Sequence, residues 1–150
     1  DADVICNLEV AFPFCNDSFD VIIGEHVLEH IHNLIFTIEE IFRVGKPGGR
    51  VIIEVPYFSS VHYFQDPTHV HSFTAHTFDY FISDTEVSKF DYSQARFLLL
   101  KVEFPPPRNA GFIKRLMFKW INQHIDFYEK HLAYLLPRHL LRFELMIEKP

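Results

Sequence analysis

Residues 12–56 read FPFCNDSFDVIIGEHVLEHIHNLIFTIEEIFRVGKPGGRVIIEVP, and this stretch decides the fold. Phe19 to Gly24 is a short, almost continuous apolar run bounded by Asn16, Asp17 and Ser18, the pattern of a strand buried on both faces of a parallel sheet. Arg50 to Val55 repeats it. Between them Leu34, Ile38, Ile41 and Phe42 recur at helical spacing, with Glu39, Glu40 and Arg43 largely on the opposite face. Pro47, Gly48 and Gly49 are expected to stop that helix, because proline has no amide proton and glycine accepts the left-handed turn into the next strand. Strand, helix and strand in this order make a βαβ unit with a right-handed crossover, and the fold class is α/β.

Working outward, Asp1 to Leu8 reads as a short strand, and Phe12 to Phe14 as an apolar plug before the next one. After Pro56 comes a His- and aromatic-rich segment with a short helix expected near Ser72 or Thr74. Ser93 to Phe104 reads as a strand ended by Pro105, Pro106 and Pro107, which cannot pair in a sheet. Phe112 to Leu136 reads as one or two helices interrupted at Pro137, and Arg142 to Glu148 as a closing strand. The 150 residues, 48% hydrophobic and 23% charged, suffice for one core and are too few for two ordinary domains. A net charge of −6 argues against nucleic acid as a partner, since phosphate neutralisation needs a basic surface.

Cys6 and Cys15 have no metal or redox spacing and read as small buried apolar residues in a reducing cytoplasm. No signal peptide or bilayer-spanning run is evident. Lys114, Arg115 and Lys119 among Phe112, Leu116, Phe118 and Trp120 also suit an interfacial membrane helix, but core or lid packing is the favoured reading.

Phe12-Pro13-Phe14, Ser18-Phe19-Asp20, Leu28-Glu29-His30 and Arg43-Val44 with Lys46-Pro47-Gly48-Gly49 follow one another in an order that resembles class I S-adenosylmethionine-dependent methyltransferases of the type 11 branch. The resemblance implies a Rossmann-like methyltransferase sheet, truncated at its N-terminus, mostly parallel with an antiparallel C-terminal strand. It implies a partial domain over 1–150, with acceptor-side or lid insertions at 57–92 and 105–140. It also implies S-adenosylmethionine as cofactor and methyl transfer to a small-molecule or glycan-type acceptor.

Ligands of such sheets sit beyond the carboxyl ends of the strands. By resemblance, Asn7 and Leu8 would meet the adenine, while Glu25 and His26 would line the sulfonium end. Asn7 stands where many members have aspartate, and it reads equally as a turn residue. Gly45 replaces the usual leucine and is expected to loosen the helix end. Members also carry an Asp-Pro-x-His segment over the acceptor, which makes His62, Asp66, His69 and His71, with Tyr57, the acceptor-side and catalytic candidates. A histidine is the best base because it titrates near neutrality. No glycine-rich loop precedes the block, so this chain alone is expected to bind cofactor weakly and to be inactive. Without that first strand, Phe19 to Gly24 would have an unpaired apolar edge and the N-terminal residues would be loosely held.

Two histidine patterns compete with this reading. His26-Val27-Leu28-Glu29-His30 spells H-x-x-E-H, which binds zinc when both histidines share a helix face. Here a strand precedes it, His26 falls in the turn, and chance suffices to explain the spelling. His62, Asp66, His69 and His71 offer metal ligands within ten positions, yet Asp66-Pro67-Thr68 is also an ordinary turn. No metal is therefore expected. A metal-dependent hydrolase and a degenerate methyltransferase-like binding module are the alternatives.

Overall fold

The computed structural model describes residues 3–149. Strands β1 (Phe19–Glu25), β2 (Gly45–Pro56), β3 (Phe97–Glu103) and β4 (Leu140–Ile147) form one sheet in the order β1-β2-β4-β3. β1 pairs parallel with β2, whereas β4 runs antiparallel to both β2 and β3. Three strands therefore point one way and the C-terminal strand is threaded back between them, as expected.

Helix α1 (Leu34–Val44) connects β1 to β2. Asn33 caps it by accepting the Phe36 N–H at 3.3 Å, and Ile38, Ile41 and Val44 bury its inner face. The helix ends at Val44, before the Pro-Gly-Gly expected to stop it. Its final carbonyls find partners from outside the helix: Asp17 and Ser18 donate their N–H groups to Arg43 and Val44, and the Lys149 ammonium bonds the Arg43 and Gly45 carbonyls at 3.0 and 2.7 Å. Pro47 to Gly49 lie instead in an irregularity of β2, where the pairing jumps from Phe19↔Gly45 to Val21↔Arg50 and Gly48 takes φ +72°. Gly45 does not loosen the helix end. A side chain there would overlap Ile147 Cδ1, so the glycine makes room for a buried core residue.

The core lies on one sheet face. Val51, Ile53 and Val55 from β2 and Leu141, Phe143, Leu145 and Ile147 from β4 pack with α1 and with the aromatics Tyr57, Phe73, Phe78, Phe104 and Tyr128. Phe78 meets Phe143 at 4.6 Å, and Phe104 meets Tyr57 at 4.7 Å, both edge-on. β1 is an edge strand buried on one face rather than two. Ile22 faces the core, while Val21 and Ile23 are 50% and 60% exposed, in rows shared with the Arg50–Glu144 ion pair and Leu98.

Several boundaries differ from the sequence reading. Asp1 and Ala2 lie outside the described residues; residues 3–8 form no strand and run past α1, where Thr37 Oγ1 donates to the Leu8 carbonyl at 3.0 Å. The helix expected near Ser72 or Thr74 is a 3-10 turn, Thr77–Phe81, because Thr77 Oγ1 accepts the Thr74 N–H and holds the preceding residues in a turn. β3 begins only at Phe97, since the Ser93 hydroxyl is committed to Glu39 and to the Ala95 N–H.

Among the described residues three further α-helices follow: α2 (Val61–Gln65), α3 (Phe112–Gln123) and α4 (Ile125–His131), the last two divided at His124. α3 buries only Phe118 and Ile121 and leaves Phe112, Ile113, Leu116 and Trp120 exposed, so it covers less core than expected. Among the described residues no helix is long and apolar enough to cross a membrane.

Candidate active site

The carboxyl ends of β1 and β2 open into a cleft of about 1110 Å³. β1 delivers Glu25 to its rim, and His26 turns off the strand with φ 54°, its N–H held by the Glu54 carbonyl at 2.9 Å. The segment after β2 contributes His62, Asp66 and His69 from the other side. β4 is antiparallel, so its start lies where the parallel strands end, and His139 enters the same cleft.

Hydrogen bonds fix the rings in this cleft. His62 Nδ1 lies 3.0 Å from the Gln65 side-chain amide at Oε1, and this contact leaves Nε2 as the nitrogen free of Gln65. The His62 and His139 ring centres lie 5.0 Å apart, with the rings tilted by 49°. Partial burial, and then the neighbouring His62, Arg138 and Lys114, lower the pKa of His139 and favour its neutral form. The Thr68 hydroxyl and N–H both donate to Asp66, at 2.6 and 2.9 Å, and these bonds hold its carboxyl below the ordinary range.

Of the residues singled out in the sequence, Glu25, His26, His62, Asp66 and His69 line one cleft. Others do not join them. Tyr57 is fully buried in the core, and burial, with the neighbouring Glu129 carboxylate, raises the pKa of its hydroxyl. His71 turns to the His32 carbonyl at 3.4 Å. Asn7 accepts the Glu9 N–H at 2.9 Å in a turn, and Leu8 packs beside α1.

The H-x-x-E-H spelling does not form the zinc geometry. His26 is in a left-handed turn and Leu28–His30 is a 3-10 turn, so the two histidines share no α-helical face. His139 was not among the residues singled out in the sequence, although the antiparallel reading of the last strand made it legible. Glu29 stood out there only in the Leu28-Glu29-His30 and H-x-x-E-H motifs, because its burial depends on the segment that folds over it.

A family model described as a methyltransferase domain matches residues 6–131. The chain belongs to this methyltransferase family. Over 43 residues it is 35% identical to YafE, an uncharacterised protein of Escherichia coli K12; that match covers 29% of this chain and 21% of YafE. Its fold is similar to a chain of the Haloferax volcanii complex between the Trm112 methyltransferase activator and a methyltransferase, with TM-score 0.59 and 14% identity over 99% of this chain and 64% of that one. An S-adenosylmethionine-dependent methyltransferase of Archaeoglobus fulgidus is also similar, with TM-score 0.54 and 17% identity over 89% and 61% of the two chains. The methyltransferase chain therefore spans less than two thirds of the length of each of these proteins. At such identities the structural likeness is one of fold.

Proposed function

We propose that this chain forms the acceptor-side part of a methyltransferase that uses S-adenosylmethionine and acts on a small-molecule or glycan-type acceptor. The observation that carries the reading is the single cleft at the strand ends, where Glu25 and His26 on one wall face His62 and Asp66 on the other. An exposed carboxylate and imidazole fit the hydroxyl and ammonium groups of a nucleoside sulfonium. Asn7, although engaged with Glu9, keeps a second lone pair for an amino group. The bound cofactor supplies an electrophilic methyl group.

The residues of this chain hold the acceptor in line and manage its proton, and positioning of this kind contributes several kcal/mol to such a displacement. His62 takes the acceptor proton at Nε2, the nitrogen that Gln65 leaves free. A neutral His139 beside it adds no positive charge to oppose that transfer. The H-x-x-E-H hydrolase reading has no support in this geometry, because its two histidines lack a common helix.

Calorimetric titration of the chain with S-adenosylhomocysteine tests the cofactor assignment. Weak saturable binding is expected, with Kd on the order of 1 mM, and Glu25→Ala together with His26→Ala should abolish it. No heat of binding at concentrations well above that Kd would overturn the assignment and favour a module that binds a partner instead.

A further inference from the structure

We propose that Glu29, His30 and His69 form a site for a single divalent transition-metal ion in the wall of the cleft. Three donor groups come together there: one oxygen of Glu29 and one nitrogen from each histidine lie within 4.8 Å of one another. The Glu29 side chain is 1% exposed, and among the described residues neither of its oxygens accepts a hydrogen bond, its nearest polar neighbours being His26 Nδ1 at 3.3 Å and His69 Nε2 at 4.0 Å, both from Oε1. A buried carboxylate that accepts no hydrogen bond is costly, by several kcal/mol, and a bound cation would offset that cost.

The two imidazoles are oriented as metal ligands are. His69 Nδ1 lies 2.9 Å from the Tyr63 carbonyl, which can only accept, so Nδ1 carries a proton and Nε2 is the nitrogen turned towards a ligand position. That Nε2 is 4.0 Å from Glu29 Oε1. Metal–nitrogen and metal–oxygen bonds of about 2.0–2.1 Å at a tetrahedral angle set two donors about 3.3–3.4 Å apart, so a bound ion would draw these side chains closer together.

For His30 the same assignment follows through a relay. The Thr68 hydroxyl gives its only proton to Asp66 Oδ1 at 2.6 Å, and therefore accepts from His30 Nδ1 at 2.9 Å. His30 Nε2 is left with its lone pair, and the two rings lie 4.7 Å apart. A carboxylate acting on a ligand histidine through a hydrogen bond is the outer-shell arrangement that fixes ring orientation and raises basicity at metal sites. The backbone holds both halves together, because Val70 and His71 donate their N–H groups to the Glu29 carbonyl at 2.8 and 3.3 Å.

Two histidines and one carboxylate suit zinc, iron(II), manganese or cobalt, and leave coordination positions open. The open side faces the cleft, since Asp66 and His69 line it and His26 Nδ1 is 3.3 Å from Glu29 Oε1 at its rim. The site takes Glu29 and His30 from the H-x-x-E-H spelling but replaces His26 with His69, 39 residues beyond His30, and it requires neither methyl transfer nor cofactor binding.

The test uses the chain stripped with chelator and titrated with Co2+, read by d–d absorption and by metal analysis after gel filtration. A single Co2+ per chain is expected. Glu29→Gln and His69→Gln should lose it, while His124→Ala, on the surface between α3 and α4, should retain it. Thr68→Val keeps every ligand and should weaken binding about tenfold through the orientation of His30, which a purely structural threonine would not do. Because a ligand variant can fail to fold, the histidine tautomers of the metal-free protein are read by long-range 1H–15N spectra. Nδ1–H forms are expected at both His30 and His69. Failure of the wild-type chain to retain Co2+, retention undiminished in Glu29→Gln and His69→Gln, or a doubly protonated His69 paired with Glu29 would each overturn the site.

Discussion

Glu29 and Glu40 are both buried acids in one βαβ unit, and their surroundings are opposite. Glu40 accepts the Phe12 N–H at 2.6 Å and two bonds from Arg43 at 2.6 and 2.7 Å, so every oxygen is engaged; Glu29 accepts no hydrogen bond among the described residues. The Arg43 hydrogen bonds, with that from Phe12, outweigh burial and lower the pKa of Glu40 below its ordinary 4.5. A depressed carboxyl stabilises the fold above its ordinary value, and that contribution disappears as pH falls through the lower folded value. Glu40→Gln should therefore cost about 2 kcal/mol at pH 7, measured by urea unfolding, and the difference from wild type should shrink under acid. A variant as stable as wild type at neutral pH would show that the pair contributes nothing. The helical spacing set Glu40 on the face opposite the apolar residues, yet it is buried. What the spacing cannot register is the 12–16 segment, whose Phe12 and Phe14 carbonyls and Asn16 side chain close over Arg43 from far along the chain.

Among the elements, β1, α1, β2 and the antiparallel β4 were legible because each carries its own period and its own stop signal. Where an element ends proved less legible. Gly45, which follows the end of α1 at Val44, is glycine because Ile147, a hundred residues onward in β4, occupies the volume a side chain would need. Gly45→Leu should therefore destabilise the protein by about 1–3 kcal/mol through overpacking. Ile147→Ala should recover part of that loss in a double-mutant cycle, since the two side chains compete for one space. Additive effects would refute the steric account. The two-sided burial expected for β1 failed for a related reason: an apolar run reports that a strand is fit for burial, while the second layer must come from other parts of the molecule. Val21 and Ile23 remain exposed along this edge strand.

At the scale of the whole molecule, the sheet positions chemistry by gathering strand ends. Glu25 and His26 follow from β1, His62, Asp66 and His69 from the segment after β2, and His139 from the reversed β4. The first groups were legible because polar residues directly after a buried strand signal a site. His71 and Tyr57 were not separable from them in sequence, because only the path of the segment decides that one turns to His32 and the other enters the core. The central claim is that cofactor and acceptor meet at these strand ends. The most direct measurement is the amide spectrum of the 15N-labelled chain titrated with S-adenosylhomocysteine. The account predicts saturable shifts at Glu25, His26 and Val27, with the amides of α4 unmoved; saturable shifts that spare the end of β1 and gather elsewhere would contradict it.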